Sequence, residues 1–122
     1  MSAARAVRIP EYLHHILVAI DRATGYVTGL NIDAFMKDER TQDAVIRSIE
    51  ILGEAAKQVR SADPEFAKRH AHIPWELLYG MRNRIVHDYF EIDLTVVWQT
   101  VHLDLPVLRP QISALIAGLN LP

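Results

Sequence analysis

The sequence predicts an all-α fold, a four- to five-helix bundle with a mostly up-and-down path. Three observations carry this. Apolar residues recur at three-and-four spacing in several separate stretches, as on one face of a helix. No stretch alternates apolar and polar residues with the period of two that a strand requires. Prolines and aspartates stand where helices open and are otherwise scattered, with no linker or internal repeat between them.

The first helix is expected from about Pro10 to Tyr26, with proline in the first turn, where a missing N–H is harmless. Leu13, Ile16, Leu17 and Ile20 form its apolar stripe. Residues 25–38 contain Gly25, Gly29 and Asn31 and read as a loop. Thr41 is the expected N-cap of a second helix reaching Arg60, with Val45, Ile46, Ile49, Leu52, Ala56 and Val59 on its inner face. Gly53 interrupts that helix at a cost of about 0.5–1 kcal/mol relative to alanine, which a close helix contact would explain. Asp63-Pro64 is a cap followed by a first-turn proline and opens a short segment to about His70. Pro74 opens the next helix, expected from Trp75 to about Phe90, with Leu78, Arg82, Ile85 and Tyr89 on one side. Asp93 caps the last helix, lined by Leu94, Val97, Trp98, Val101, Leu105, Leu108, Ile112, Leu115 and Ile116. Pro106 and Pro110 should kink or break it, because each removes an intrahelical hydrogen bond.

A chain of 122 residues is one domain. Its 50% hydrophobic and 23% charged residues fit an ordinary globular protein and exclude a disordered or low-complexity one. The absence of cysteine excludes disulfides, thiolate zinc sites, iron–sulfur clusters and a cysteine nucleophile. No apolar run approaches the ~20 residues of a membrane span, and no signal peptide is visible, so a cytoplasmic protein is expected. The net charge of −2 argues against coating nucleic acid by bulk electrostatics. Residues 44–87, however, carry seven Lys/Arg against five Asp/Glu and three of the six histidines, and an anionic ligand is sought there first.

The most informative stretch is Gly80-Met-Arg-Asn-Arg-Ile-Val-His-Asp-Tyr-Phe90. A solvated charged face with a capping histidine accounts for it without any chemistry. The chemical reading starts from spacing. Asn83 and His87 are i,i+4, so Asn83 can orient the imidazole on a continuous helix. Arg82 and His87 lie about 140° apart on such a helix, so they converge only if the side chain wraps back, the helix loosens, or two chains share the site. A symmetric dimer pairing this segment with itself would gather two arginines and two histidines in one cleft. Such a cleft suits RNA cleavage by the 2′-hydroxyl, which needs a base, an acid and a cation for the phosphorane. Histidine and arginine supply these without a metal or cofactor.

These residues resemble a known family. Arg82, His87 and Tyr89 fit the R-x4-H-x-Y signature of HepT-like toxins, in the HEPN superfamily of helical ribonucleases. Thr41-Gln-Asp-Ala-Val-Ile-Arg-Ser-Ile-Glu-Ile-Leu-Gly-Glu-Ala-Ala-Lys, Ile73-Pro-Trp, Asp88-Tyr-Phe-Glu-Ile-Asp, Val97-Trp98 and Asp104-Leu-Pro also look like that family, over about residues 11–118. The resemblance implies a HEPN-like bundle that dimerises and a metal-independent endoribonuclease with Arg82 and His87 catalytic. It also implies a partner, an MNT-type nucleotidyltransferase antitoxin that neutralises the toxin by attaching AMP to Tyr89. Asn83 is the polar residue that commonly follows the motif arginine. Glu91 departs from the pattern, where glycine is expected, and adds a negative charge beside Tyr89. AMP on Tyr89 would add a bulky anion two residues from His87 and repel substrate phosphates.

Other charged groups are read both ways. Arg47, Glu50 and Glu54 form a charge ladder on the second helix, or Arg47 and Glu54 support the Arg82/His87 cleft. Lys57, Arg60, Lys68, Arg69, His70 and His72 are solvated surface, or with Arg84 they track an RNA backbone. Glu11-x-x-His14 is half of a di-iron pattern, and His70-x-His72 lacks an evident third zinc ligand, so no metal site is expected. Trp75 and Trp98, at apolar helical positions, read as core or interface anchors before base-stacking platforms. The rival from another class is a non-catalytic helical adaptor that binds a nucleotidyltransferase and presents a substrate.

Overall fold

The computed structural model describes residues 8–86 and 91–119. Helix α1 spans Ile9–Tyr26, α2 Ile32–Met36, α3 Glu39–Ala62, α4 Pro64–Arg69 and α5 Trp75–Ile85. The C-terminal arm is α6, Leu94–Gln99, then a π-helical turn, Thr100–Asp104, then α7, Leu105–Leu119. The described residues are thus an all-α bundle of four long arms with two short helices between them.

The core lies where the predicted stripes meet. Leu13, Ile16 and Ile20 of α1 face Val45, Ile49 and Leu52 of α3, each at most 1% exposed. Leu78, Met81 and Ile85 of α5 and Leu105, Leu108 and Ile112 of α7 close the same core. Arg109 of α7 grips Asp21 of α1 with Nε at 2.7 Å and a second nitrogen at 3.2 Å, a forked pair that pins the outer arm.

Four expectations need correction. Residues 25–38 are not all loop. Asn31 accepts from the Ala34 N–H at 2.8 Å and starts α2, which buries Phe35 completely against Trp98, with ring centroids 5.2 Å apart. The cap of α3 is Asp38, not Thr41. Asp38 accepts from the Thr41 N–H at 3.1 Å and from its hydroxyl at 2.7 Å, so Thr41 sits inside the first turn. The prolines of the last arm do not break it. Leu105 donates to the Thr100 carbonyl in a π-type bond, Pro106 falls in the first turn of α7 where its missing N–H is harmless, and α7 runs on through Pro110. The fourth concerns α5, which stops at Ile85 instead of near Phe90.

Asp63 and Asp93 cap as expected, accepting from Glu65 and Val96 N–H groups at 3.1 Å each. Gly53 also behaves as expected: a Cβ there would lie 3.3 Å from the Leu78 carbonyl oxygen of α5. The missing side chain lets α3 and α5 approach backbone to side, and this sets the height at which α5 presents its last turn.

Candidate active site

The candidate site is built on the C-terminal end of α5. Met81 and Ile85 are buried and lock that turn to the core, while Arg82, Asn83 and Arg84 between them are exposed. Two arginines in the last turn complement the negative end of the helix dipole. The helix then ends in an orderly way. Val86 donates to the Arg82 carbonyl at 3.2 Å but is itself extended, with φ −102 and ψ 110. It pairs with Ile92 in an antiparallel bridge, and Asp93 donates to the Ile85 carbonyl at 2.7 Å. The chain therefore returns to its own helix end within a few residues, and α6 starts from the closure.

His87 and Tyr89 lie outside the described residues, as do Asp88 and Phe90. The extended backbone at Val86 nonetheless corrects the spacing argument. The 140° separation of Arg82 and His87 and the i,i+4 alignment of Asn83 with His87 both assume a helix through residue 87, and the helix is already over.

The two arginines differ. Arg84 Nη1 lies 3.1 Å from Asp104 Oδ2 on the π-helical turn, so its charge is matched, with half-exposed side chains on both sides. Arg82 is exposed and forms no ion pair with any described residue. The supporting pair expected on α3 stays on α3. Arg47 lies 3.8 Å from Glu50, and Glu54 accepts from Gln58 at 3.3 Å. These four line a shallow groove of about 190 Å³ against Tyr12 and His15 of α1, a groove to which Arg82 does not contribute. Arg47 and Glu54 line the α1–α3 seam, while His87, the other half of the cleft they are expected to support, lies outside the described residues.

The basic cluster divides likewise. Lys68 pairs with Glu65 at 3.3 Å and Arg69 with Asp63 at 3.0 Å. The Arg69 hydrogen bond holds the Asp63 carboxyl below its ordinary range. Lys57 is exposed, and the Arg60 guanidinium carbon sits over the Tyr79 ring, 4.1 Å from its centroid. Burial, with help from nearby His72 and Arg69, pushes the His70 imidazole down. Its carbonyl accepts from the Trp75 indole at 3.0 Å, and Trp75 is buried as expected of an anchor. Among the described residues no three His, Asp or Glu side chains gather as a metal-holding group. No described helix is long and apolar enough to cross a membrane.

Sequence reasoning missed the Arg84–Asp104 and Arg109–Asp21 pairs and the Arg60–Tyr79 stack. Each joins residues from different helices, and no local pattern announces them. The i,i+4 spacing of Trp75 and Tyr79 was a usable signal for an aromatic ladder on α5.

Comparison with known proteins bears on this arrangement. The family described as Ribonuclease HepT-like matches residues 16–115, nearly all of the bundle. A protein of Thermococcus cleftensis named as a probable ribonuclease HepT is 36% identical over 105 residues, covering 86% of this chain and 93% of that one. A candidate RNase of Caldanaerobacter subterraneus subsp. tengcongensis is 33% identical over 105 residues, 86% of this chain and 91% of its own. A Methanocaldococcus jannaschii protein named as both a gamma-glutamylcyclotransferase and a candidate RNase is 38% identical over 109 residues, 89% of this chain but 48% of that longer one. No solved structure matches. With the profile spanning α1 to α7 and relatives of about one-third identity aligned nearly end to end, the chain belongs to the HepT-like ribonuclease family.

Proposed function

We propose that this chain is an endoribonuclease toxin that cleaves RNA without a metal, using Arg82 and His87, and that it acts as a homodimer. The observation that carries the reading is the contrast on α5. Two exposed arginines sit two residues apart; Arg84 is neutralised by Asp104, whereas Arg82 faces solvent without a described counter-charge, beside the point where the chain leaves the helix.

In this mechanism His87 takes the proton from the ribose 2′-hydroxyl as its oxygen bonds to phosphorus. The P–O5′ bond breaks, and the departing oxygen receives a proton from the conjugate acid, His87 again or its symmetry mate. The products are a 2′,3′-cyclic phosphate and a 5′-hydroxyl. Arg82 places a fixed, forked cation on the oxygens that gain charge in the phosphorane. Asn83 positions the phosphate or the imidazole. Arg84, Lys57 and Arg60 are backbone contacts of the RNA, Arg84 the weaker because Asp104 competes for it.

The partner in this reading is an MNT-type nucleotidyltransferase antitoxin. It transfers AMP from ATP to the Tyr89 hydroxyl oxygen, pyrophosphate leaving, and the added anion repels substrate from the neighbouring cleft.

The test is an RNA cleavage assay in EDTA with wild type, His87→Ala and Arg82→Ala side by side, after mass spectrometry shows Tyr89 unmodified. Cleavage by wild type alone, leaving cyclic phosphate ends, is expected. Cleavage that survives either substitution overturns the site. Unmodified wild type that cuts no RNA class overturns the enzyme and returns the adaptor.

A further inference from the structure

A cavity of about 570 Å³ opens where α3, α4 and α5 meet, a size typical of small-molecule sites. Its walls are mainly apolar, with Ile73 and Trp75 among them, and its charged groups are Arg60, Lys68 and a single carboxylate, Glu76. Trp75 and Tyr79 stand one turn apart on α5 with rings nearly parallel, at 23° and 6.4 Å between centroids. Arg60 lies over the Tyr79 ring and has no carboxylate partner among the described residues. A pocket with aromatic walls and a guanidinium at one edge fits a ligand with a flat apolar body and an attached anion.

Its position is equally informative. Trp75, Tyr79 and Arg82 are i, i+4 and i+7 on α5 and so lie along one side of that helix. Trp75 and Arg82 are about 10 Å apart along the axis, at ~1.5 Å per residue. A strand whose phosphate meets Arg82 passes the mouth of the cavity within a nucleotide or two. The Tyr79 hydroxyl is buried there with no hydrogen-bond partner among the described residues.

We infer that this cavity is a nucleotide subsite: one base of a single-stranded RNA enters beside Trp75 and Tyr79, and Arg60 takes the adjoining phosphate. The identity of the occupant rests on the ribonuclease reading; the binding chemistry does not. Trp75 and Tyr79 are buried and offer the cavity an apolar wall that distinguishes no base, so the subsite supplies grip and register more than sequence choice.

The test uses the full chain, labelled with ¹⁵N, and follows amide shifts during titration with adenosine or uridine 5′-monophosphate. Ribose 5-phosphate and adenosine are titrated alongside. Both nucleotides should move amides across residues 60–79, and ribose 5-phosphate should not. Arg60→Gln should weaken nucleotide binding at least fivefold and leave adenosine unchanged. Ala71 sits exposed on the rim, so Ala71→Phe fills the mouth without removing core packing, and it should abolish both. Nucleotides that move no amide in this region, or that bind Ala71→Phe as they bind wild type, overturn the subsite. So does loss of a dimer in Ala71→Phe by size-exclusion chromatography, which would give the cavity to a second copy. A chain that binds nucleotides here but cuts no RNA sinks the ribonuclease reading and keeps the subsite. RNA cleavage by Ala71→Phe at wild-type kcat/KM sinks the subsite and keeps the enzyme.

Discussion

Gly53 sets the distance between α3, the helix with the largest share of the core, and the helix that carries Arg82, and its replacement is the sharpest test of that packing. An added Cβ meets the Leu78 carbonyl oxygen at 3.3 Å, closer than most Cβ contacts. That oxygen belongs to a helix backbone and cannot swing aside as a side chain would. Alanine gains about 0.5–1 kcal/mol of helix propensity and loses a similar amount to this contact. Gly53→Ala should therefore melt close to wild type. Valine adds two further methyl groups at the same point and must push α5 outward, an overpacking cost of about 1–3 kcal/mol. At roughly 4 °C per kcal/mol for a domain of this size, Gly53→Val should lower the thermal midpoint by about 4–12 °C. Thermal unfolding followed by circular dichroism reads both variants. A valine variant that melts at or above wild type would refute the close approach, since no propensity gain offsets a β-branched residue in a tight helix contact. The same displacement moves Arg82, so in the ribonuclease reading kcat/KM of the Gly53→Val variant should fall further than its stability alone explains.

Three more outcomes follow from particular contacts. Phe35→Ala removes a wholly buried ring packed at a tilt against Trp98 and should cost about 3–5 kcal/mol in urea unfolding; a loss under about 1 kcal/mol would mean α2 does not clamp the core. Tyr79→Phe removes a buried hydroxyl without a hydrogen-bond partner among the described residues, which burial already keeps in its protonated form, and should raise stability by about 1 kcal/mol; a lower midpoint would show that the hydroxyl has a partner. Hydrogen bonds from Arg69 to Asp63 and from Thr41 to Asp38 hold both carboxyls below the unfolded value of about 3.9, so their stabilisation is present above about pH 4 and is lost as pH falls through the folded values. The midpoint of Asp63→Asn should be lower than wild type at neutral pH but fall less steeply below about pH 4, and an unchanged acid slope would remove Asp63 from that loss.

What could be read from the residues is what local physics decides. The stripes on α1 and α3 appear in the chain as three-and-four spacing because each helix buries one face against the other, and Leu13, Ile16, Val45 and Ile49 are buried as that spacing requires. Asp63-Pro64 and Asp93 cap helices by hydrogen bonds within three residues of themselves, so their roles are written beside them. Where two caps competed, Asp38 won over Thr41 because the threonine hydroxyl is itself a donor to the aspartate. Helix α2 escaped notice because five residues with one buried ring hardly make a period; Phe35 is ordered by Trp98, more than sixty positions away in sequence. The end of α5 escaped for the same kind of reason. Nothing from Arg82 to Val86 forbids another turn. What competes with it is the Val86–Ile92 bridge and the bond from Asp93 to Ile85, both supplied by the returning chain. The motif was therefore legible as residues and not as geometry. Arg82 could be named from the sequence, but its contrast with Arg84 depends on Asp104 standing beside the latter, a contact made across twenty positions by a π-helical turn. A helix that continued to Phe90 would have set Arg82 and His87 on diverging faces and would have argued against a shared site. A helix that stops at Ile85 lifts that objection, because Val86 is extended and already off the helical screw.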